Sequence, residues 1–426
     1  MLDMRFIRDN EQALRKAIKD KQMPDALGKL DELLQVDEEL RLLRTDLEER
    51  QAERNAKSKQ IGVLKRQKEN TDGLMQEMGA LSAEVKQLDE KFKVLELKHQ
   101  ELMLEIPNPA HASVPYGESE HDNQVAKEVG QKPVFTFEAQ PHWELARAKG
   151  WIDFERGNLT TGAGFPIFRA GGARLLRALI QYCLNSLIAK GYIEHQVPLL
   201  VNEASATATG QLPDKEGQMY QVSDGFYLIP TSELILTGIH RNEILDGDAL
   251  PLRYTAHSAC FRREAGSYGA HVRGINRVHQ FDKVEMVQFC HPDNSYEALE
   301  EMTATSEEML EALGLPYRRL LMCTGDIGFT QSKKYDIEVW SAAQEKWLEV
   351  SSCSNITSFQ SRRLQTRFRK GGKQGQGKPE LVHTLNGSAF GMVRVVAAIM
   401  ENFQQEDASV LVPEVLQTYF GGKILD

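Results

Sequence analysis

The sequence predicts an α+β protein in which an N-terminal antiparallel two-helix coiled-coil arm precedes a larger domain with an antiparallel β-sheet flanked by helices. Three observations lead to this prediction. Apolar residues recur with heptad spacing from about residue 27 to residue 104, a stretch without proline and with Phe92 as its single aromatic residue. Prolines at 107 and 109 then end the helical pattern. The remainder mixes many strand-like runs with a few helix-period segments, as α+β domains do.

The arm is predicted from two runs of apolar residues that occupy the a and d positions of a heptad repeat. A polar turn, "ENTDG" at 69–73, separates the runs. The simplest structure is a hairpin of two helices of roughly 35–40 residues each, on the order of 50–60 Å long. The first run contains Leu33, Val36, Leu40, Leu43 and Leu47 and resumes at Ile61 and Leu64; the second contains Leu74, Met78, Leu81, Val85, Leu88, Phe92, Leu95, His99 and Leu102.

Charge changes sign along the first helix of the arm. Nine acidic residues lie between positions 31 and 53, whereas positions 54–68 carry six basic residues and no acidic one. A solvated helix face explains such a run as well as a contact with a phosphate backbone does, so both interpretations stay open at this point. The basic residues are Arg54, Lys57, Lys59, Lys65, Arg66 and Lys68.

Composition indicates a globular chain of two or three domains, with 426 residues, 41% hydrophobic and 26% charged. No apolar run approaches the ~20 residues of a membrane span, and the N-terminus lacks the features of a signal peptide. The net charge of −10 argues against a general nucleic-acid coat but leaves local basic patches open. Five scattered cysteines form no CxxC pair, so we expect neither a disulfide framework nor a zinc site, and we expect a cytosolic location.

The second part of the chain has strand-like runs such as "GFYLIP", "LRYTAHSACF", "RVHQFDKVEMVQFC", "RRLLMC" and "KYDIEVW". It contains neither a P-loop nor a GxGxxG motif. A nucleotide site in this domain would therefore belong to neither the P-loop class nor the Rossmann class.

The stretch "CFRREAGSYGAHVRGINRVHQF" at 260–281 places charge where a strand should already be in the core. Buried charges are costly unless they are paired or bind something, and arginine forks fit phosphate or carboxylate oxygens. As strand, loop and strand, the stretch puts Arg262 and Glu264 on one strand face. Both a plain ion pair and a nucleotide site fit this arrangement. In the second case Glu264 accepts from an exocyclic amine and Phe281 stacks on a base, although Phe281 fits the core equally well.

Two glutamates interrupt runs that otherwise resemble buried strands. Glu285 lies in "KVEMVQF" and Glu233 lies in "IPTSELIL". A partly buried carboxylate favours a cation beside it, either an arginine or a ligand ammonium. With the hydroxyls of Thr231 and Ser232 nearby, the pair would suit a small zwitterion that bears an ammonium and an alcohol.

Two further features favour a bound anion. In "WLEVSSCSN", Glu349 and Ser352 offer oxygen ligands suited to Mg²⁺ that bridges phosphates. In "LNGSAFGMVRVVAAIMENF", an apolar helix begins near Arg394. Because arginine opposes the dipole at a helix start, this position indicates that an anion binds there.

These segments resemble the signature motifs of class II aminoacyl-tRNA synthetases. "FRREAGSYGAHVRGINRVHQFDKVE" resembles the second motif, "LNGSAFGMVRVVAAIMEN" the third, and "ALIQYCLNSLIAKGYIEHQVPLLV", with Pro198, the first. "ATGQLP", "PTSE", "EVSSCSN", "SFQSRR" and the helical hairpin narrow the resemblance to the bacterial-type seryl-tRNA synthetase family. The resemblance covers essentially the whole chain in order.

The resemblance implies a tRNA-binding domain at 1–110, a linker at 111–132 and a class II catalytic domain at 133–426. It implies a six-to-seven-stranded antiparallel sheet, a homodimer formed through the first motif and a cytoplasmic location. The implied activity uses ATP and Mg²⁺ to convert serine to seryl-adenylate and transfers the seryl group to the 3′ end of tRNA(Ser), and also of tRNA(Sec). In the family, the arm grips the long variable arm of the tRNA.

The resemblance also implies a role for each matching residue. Serine would be bound by Thr231, Ser232, Glu233, Glu285 and Ser388. ATP would be bound by Arg262, Arg263, Glu264, Arg277, Phe281, Glu349, Val350, Ser351, Ser352 and Arg394, with Mg²⁺ on Glu349 and Ser352. Arg262 and Arg394 would be catalytic, and the six basic residues of the arm would bind tRNA.

Three departures from the family pattern bear on these expectations. In the third motif, Ala389 and Val393 stand where glycines are usual, and their β carbons take space near the expected adenine. The second-motif loop reads "AHVRG" where Asp-Thr-Arg-Gly is frequent, and "TSE" replaces the commoner Thr-Ala-Glu.

Three alternatives compete with the interpretation as a serine–tRNA ligase. The altered third motif is the support for a non-catalytic RNA-binding paralogue. A ligase that charges a carrier protein would lack the arm, which this chain has. A class member for another amino acid fits less well, because Glu233, Glu285 and Ser388 suit a small hydroxy amino acid.

Overall fold

A computed structural model describes residues 1–264 and 273–426. The chain divides into two units, Met1–Pro107 and Asn108–Asp426. Within the described residues, no helix is long and apolar enough to cross a membrane.

The first unit is built from helices, and its two long ones form the predicted arm. The heptad positions explain the packing, because Leu33, Leu40 and Leu47 of the first long helix and Leu81 and Val85 of the second are buried. The second long helix reaches Leu104 before the prolines. The helices are α1 (Met4–Asp9), α2 (Glu11–Asp20), α3 (Asp25–Arg66) and α4 (Asp72–Leu104).

Ion pairs between α3 and α4 show that the two helices run antiparallel. Lys57 pairs with Glu77 at 2.9 Å, and Lys98 pairs with Glu32 at 2.7 Å. As the residue number rises on one helix, it falls on the other. The predicted arm is therefore confirmed, with α3 about 63 Å long at 1.5 Å per residue.

The second unit combines a central sheet with helices and several small sheets. Its helices are α5 (His142–Lys149), α6 (Phe154–Thr160), α7 (Ala170–Ala189), α8 (Glu203–Thr209), α9 (Glu233–Gly238), α10 (Ser295–Leu313), α11 (Phe359–Leu364), α12 (Met392–Asn402) and α13 (Glu414–Phe420). Its strands are β1 (Gln124–Val129), β2 (Ile152–Asp153), β3 (Ile167–Phe168), β4 (Ile193–Glu194), β5 (Leu200–Asn202), β6 (Phe226–Leu228), β7 (Ile244–Asp246), β8 (Leu252–Phe261), β9 (Gln280–Cys290), β10 (Tyr317–Leu321), β11 (Lys333–Ser341), β12 (Lys346–Thr357), β13 (Arg367–Arg369), β14 (Glu380–Leu381), β15 (His383–Gly391), β16 (Val410–Leu411) and β17 (Ile424–Leu425).

The central sheet has eight strands in the order β1-β10-β11-β12-β15-β9-β8-β4 among the described residues. All neighbours are antiparallel except β4 and β8. Helices α7, α10 and α12 contact this sheet and bury its apolar residues. The predicted antiparallel sheet flanked by helices is confirmed, with more strands than the six or seven expected.

One strand arises where a polar connection was expected. The segment 111–132 contains β1, which forms the edge of the sheet beside β10. Its side chains are mostly exposed, so it lacks the apolar alternation that predicts a strand from sequence.

Candidate active site

A cleft with an empty volume of about 590 Å³ lies over strands β9, β12 and β15 and the first turn of α12. A second cleft of about 520 Å³ shares Arg262, Glu264 and Arg277 with it, and adds Thr231. The two clefts therefore form one site. The first is lined by Arg262, Glu264, Asn276, Arg277, Val278, Phe281, Lys283, Glu349, Val350, Ser388, Gly391, Val393 and Arg394.

The site has two chemically different halves. We call Arg262, Glu264, Arg277, Phe281, Glu349 and Arg394 the arginine half. We call Thr231, Glu233, Lys283, Glu285 and Ser388 the carboxylate half.

Arg262 and Glu264 reach the site from irregular backbone. Strand β8 ends at Phe261, so the prediction that they share a strand face is wrong. Glu264 has a φ of +48°, which a continuing strand does not allow. Gln218 holds this segment instead, because its carbonyl accepts from the backbone N–H of Arg263 and its side-chain oxygen accepts from that of Glu264, at 2.9 and 3.1 Å.

Phe281 lies partly buried on β9, with the Arg262 guanidinium 5.2 Å from its ring centroid. The ring lines the cleft, so one face is not taken up by the core. Arg263, in contrast, is exposed and does not line the cleft in the described structure. Of the predicted loop of the second motif, "AGSYGAHVRG" at 265–274, residues 265–272 lie outside the described residues.

The other two arginines make contacts with the cleft walls. Arg277 forms an ion pair with Glu264. Arg394, in the first turn of α12, donates from Nε to the carbonyl of Asn276 at 2.9 Å and from Nη1 to that of Glu349 at 2.8 Å. Both guanidiniums remain partly exposed to the cleft, so each has donors left for an anion.

A β-bulge places Glu349 and Ser352 on the same face of the sheet. Residues three apart face opposite sides of a regular strand. Here Glu349 pairs with Glu338 and Ser351 pairs with Ile337, so Val350 is an extra residue without a partner on β11. Ser352 pairs with Asp336, two residues from Glu338, and therefore faces the same side as Glu349.

Burial and nearby charges determine the pKa values of the carboxylates on this face. Loss of surrounding water raises the pKa of Glu349, but the positive charges of Arg394 and Lys334 outweigh it and hold that pKa below its usual range. Burial raises the pKa of Asp336 to about 6, although Lys334 Nζ lies 3.0 Å from its Oδ2. The face thus presents an ionised carboxylate beside a hydroxyl.

In the carboxylate half, Glu285 is wholly buried on β9. Its Oε2 accepts from the Thr231 hydroxyl at 3.2 Å and lies 2.5 Å from Lys283 Nζ. Its Oε1 has no hydrogen-bond partner within the described part of the chain. A buried carboxylate oxygen without a donor costs free energy, so a ligand donor there would be strongly favoured.

Glu233 opens helix α9, so the prediction that it lies in a strand is wrong. Its two carboxylate oxygens accept from Gln360 Nε2 at 2.8 Å and from Asn386 Nδ2 at 3.0 Å. Burial, and after it the negative charge of Glu285, raises the pKa of Glu233 to about 7. Neutral amides orient this carboxylate without neutralising it.

The serines of the site differ in position. Ser388 lines the cleft and pairs across the sheet with Glu285. Ser351 lies beneath it, buried, and its hydroxyl donates to the carbonyl of Ser388 at 2.5 Å. Ser232 is buried beside Thr231 and is not a lining residue of either cleft. The structure therefore brings Ser388 and Thr231 to the cleft surface, but not the side chains of Ser351 and Ser232.

Several site residues were missed from sequence. Lys283 had a signal, because it alternates with Phe281 and Glu285 along one strand face. Gln360 and Asn386 had none, since an amide in a mixed segment does not reveal which buried carboxylate it contacts. The third-motif substitutions are accommodated differently, with Ala389 in the core and Val393 on the cleft wall.

The basic segment of the arm divides into two groups. Arg54 and Lys57 are half-buried, and Lys57 is engaged by Glu53 at 3.2 Å and Glu77 at 2.9 Å. The other four basic residues are exposed: Lys59, Lys65, Arg66 and Lys68.

Comparison with known proteins gives matches to both parts of the chain. Residues 1–110 match the family model described as seryl-tRNA synthetase N-terminal domain, and residues 219–403 match the tRNA synthetase class II core domain (G, H, P, S and T). The serine–tRNA ligase of Salinibacter ruber is 49% identical over 426 residues, which cover 99% of this chain and 98% of that protein. The chain belongs to the seryl-tRNA synthetase family.

Other members of the seryl-tRNA synthetase family agree over the full length. The serine–tRNA ligase of Bacillus subtilis is 46% identical over 425 residues, 99% of each chain. The seryl-tRNA synthetase of Pyrococcus horikoshii, solved in complex with ATP, is 35% identical with a TM-score of 0.94 and covers 100% of this chain and 99% of that one. The cytoplasmic serine–tRNA ligase of Naegleria fowleri, solved with AMP, is 26% identical with a TM-score of 0.88, at 100% and 99% coverage. The resemblance that the motifs predict is confirmed.

Proposed function

We propose that the protein is an ATP-dependent serine–tRNA ligase that forms seryl-adenylate and transfers the seryl group to tRNA(Ser). The observation that carries this proposal is the junction of the two halves. A buried carboxylate with an unpartnered oxygen, Glu285 Oε1, lies next to a cleft lined by Arg262, Arg277 and Arg394 in the part of the chain that the structure describes. Such a site fits a zwitterion whose ammonium meets the carboxylate while its own carboxylate meets arginines and a polyphosphate.

In the first half-reaction, a carboxylate oxygen of serine attacks the α-phosphorus of ATP in line. The new bond joins that oxygen to phosphorus, the bond from α-phosphorus to the bridging oxygen breaks, and pyrophosphate leaves with the electron pair. Arg262 contacts the serine carboxylate and the α-phosphate, and Arg277 and Arg394 hold the distal phosphates. Phe281 stacks under the adenine and Glu264 accepts from its amine. The protein supplies position and positive charge rather than a covalent nucleophile.

Serine is selected by the carboxylate half. Its ammonium and hydroxyl contact Glu285 and Glu233, with Thr231 and Ser388 beside them. Alanine would leave these buried polar groups unpaired, whereas threonine must be excluded by fit. In the second half-reaction, the terminal ribose hydroxyl of tRNA attacks the activated carbonyl and AMP leaves.

Glu349 and Ser352 would hold Mg²⁺. An ionised carboxylate and a hydroxyl on one sheet face fit this ion, which takes few protein ligands and completes its shell with water and phosphate oxygens. When bound, the ion neutralises phosphate charge. Among the described residues there is no cluster of three or more His, Cys, Asp or Glu that could hold a metal.

Homodimerisation is proposed through the first motif. Ile188 at the end of α7, Ile193 on the edge strand β4, and Leu199 and Leu200 nearby are exposed apolar residues. Such a grouping suits an interface between copies. We also propose a cytosolic location, supported by five buried free cysteines, and binding of tRNA, including tRNA(Sec), by the exposed basic residues of the arm.

ATP–pyrophosphate exchange without tRNA tests the proposal, with serine, threonine and alanine as separate substrates. We expect strong exchange with serine alone, followed by charging of tRNA(Ser). If the folded protein catalyses exchange with none of the three amino acids, the ligase proposal is wrong and an RNA-binding paralogue is the remaining interpretation. The site favours the ligase over that alternative, because five of the predicted charged ATP ligands line the cleft: Arg262, Glu264, Arg277, Glu349 and Arg394.

A further inference from the structure

A buried histidine behind the cleft contacts the segment that carries the proposed phosphate-binding arginines. His142, at the start of α5, has no exposed surface, and its Nδ1 lies 2.7 Å from Glu401 Oε1 on α12. Its Nε2 accepts a hydrogen bond from the backbone N–H of Ile275 at 3.0 Å. Because Nε2 must present a lone pair to that N–H, the ring proton lies on Nδ1 and is donated to Glu401.

Glu401 is surrounded by donors. Besides the ring of His142, it accepts from the backbone N–H of His142 at 3.0 Å, from Gln344 Nε2 at 2.8 Å, from the N–H of Ala343 at 3.3 Å and from the Ser341 hydroxyl. Burial raises the pKa of Glu401, but the hydrogen bonds from His142 and from the Ser341 hydroxyl hold that pKa below its usual range. The carboxylate is therefore a fixed, charged anchor for the histidine.

The segment 274–278 is held at two successive residues by this network. A β carbon on Gly274, whose φ is +72°, would come within 2.1 Å of His142 Nε2, so glycine permits the close approach. Asn276 Nδ2 donates to Gln344 Oε1 at 2.7 Å, and the carbonyl of Asn276 accepts from Arg394 Nε at 2.9 Å. The same few hydrogen bonds therefore fix the backbone that orients Arg394.

We propose that His142 is a positioning residue for the nucleotide. Its hydrogen bond fixes the backbone at Ile275. The fixed backbone in turn positions Arg277, two residues further along the chain, and Arg394, which donates to the carbonyl of Asn276. This inference rests on the proposed function. In the described part of the chain, Thr231, Glu233 and Glu285 make no hydrogen bond to the network. Loss of the histidine should therefore weaken the binding of ATP more than the binding of serine.

The test is ATP–pyrophosphate exchange by full-length His142→Asn, with separate KM values for ATP and serine and with the melting temperature. Asparagine can still donate to Glu401, but its side chain is too short to place an acceptor where His142 Nε2 accepts from the N–H of Ile275. We expect the KM for ATP to rise about tenfold or more and kcat to fall, while the KM for serine stays within about twofold, since small misplacements of binding groups have such effects. Gln344→Met, at a half-buried position, should change the same constants in the same direction by less.

His383→Asn is the matched control. His383 is a partly buried histidine bonded to Ser295 at 2.8 Å, at the opposite end of β15 from Gly391. We expect it to lower the melting temperature without changing the KM for ATP. If His142→Asn behaves like this control, with a lower melting temperature and a smaller fraction of active protein but an unchanged KM for ATP, the role of His142 is structural and the proposal is overturned. If His142→Asn does not fold, Gln344→Met decides by the same criterion.

Direct calorimetric titration with ATP separates this inference from the proposed function. If the wild-type protein shows no exchange with serine, the ligase proposal fails. The inference is then decided by ATP affinity alone, which should be weaker in His142→Asn than in the wild type and His383→Asn. Equal affinities in all three proteins would overturn it.

Discussion

In the arginine half of the site Arg277, Glu349 and Arg394 keep contact with water, whereas the charged side chains of the carboxylate half are buried. The Arg277 side chain is 46% exposed and that of Glu349 is 48% exposed, while Lys283 is 9% exposed and Glu285 is not exposed at all. Ion pairs at a wet surface contribute little and exchange easily, so phosphate can replace Glu264 as the partner of Arg277. Buried charges cannot rearrange at low cost. One half of the site can therefore adapt to its ligand, whereas the other is preformed for it.

The largest expected effect comes from a substitution in the preformed carboxylate half. Glu285→Gln keeps the shape and the contact with Thr231 but removes the charge that faces Lys283 and the substrate ammonium. We expect kcat/KM for serine to fall about a thousandfold, within the range for losing one partner of a buried charge pair. The KM for ATP should change little. Exchange kinetics measure both constants, and a loss of under tenfold for serine would contradict the preformed half.

A somewhat smaller effect is expected when the adaptable half is altered. Arg394→Lys keeps the charge but removes the fork that reaches Asn276 and Glu349. We expect the KM for ATP to rise and kcat to fall, with a combined loss of about a hundredfold, because lysine cannot reproduce bidentate contacts. Serine affinity, measured by calorimetry without ATP, should be unchanged. A matching loss of serine affinity would show that the two halves are not separable.

The arm extends the comparison to a wet surface outside the cleft. Lys65, Arg66 and Lys68 are exposed, whereas Lys57 is engaged by two glutamates. Replacing the three exposed residues by glutamine should raise the KM for tRNA(Ser) about tenfold and flatten its salt dependence, since each phosphate that is no longer neutralised reduces the slope by about one.

Lys57→Gln is the control for the arm, because an already paired lysine has less to offer a phosphate. ATP–pyrophosphate exchange should be unaffected in both variants. If aminoacylation of the triple variant equals that of the wild type at every salt concentration, the basic run is a solvated face.

The smallest expected effect concerns pH. The pKa of Glu233 is raised from 4.5 to about 7 in the folded protein. Because the folded state binds the extra proton between those values, the stability contributed by this group falls as pH rises from about 4.5 to about 7. Serine binding should show the opposite trend, with affinity increasing a few-fold from pH 6 to pH 8, because ionised Glu233 adds a negative charge near the positively charged ammonium of the substrate.

Melting temperatures between about pH 4.5 and pH 7 measure the trend in stability, and calorimetric serine titrations at pH 6 and pH 8 measure the trend in affinity. Glu233→Gln, which cannot titrate, should lose the pH dependence that comes from this group. A serine affinity in the wild type that is independent of pH would contradict the role given to Glu233.

Sequence patterns predict best where one physical requirement dominates a long segment. The arm follows from heptad spacing because each seam residue, such as Leu33 or Leu81, must be buried by its partner helix. The arginines and glutamates of the cleft are predictable for a related reason. A charge inside an apolar run, such as that of Glu285, is unfavourable unless something pairs with it. Its presence therefore indicates a ligand or a partner residue.

The prediction fails where the outcome depends on long-range geometry. "IPTSELIL" is too short to distinguish a strand from a helix, and tertiary packing makes Glu233 the first residue of α9. Gln360 approaches Glu233 across 127 positions of sequence. The end of β8 before Arg262 is likewise set by Gln218 on another segment, so the local pattern carries no trace of it.

The bulge at Val350 has a consequence for how this strand can tolerate changes of length. Because Val350 has no partner on β11, its deletion would leave Glu349 opposite Glu338 and Ser351 opposite Ile337, and every pair of that ladder would be kept. A deletion elsewhere in the part of β12 that pairs with β11 would turn one end of the strand over and exchange its buried and exposed residues. Along this ladder, a deletion at 350 is therefore the one that keeps the register on both sides, although it would remove a buried side chain that also lines the cleft.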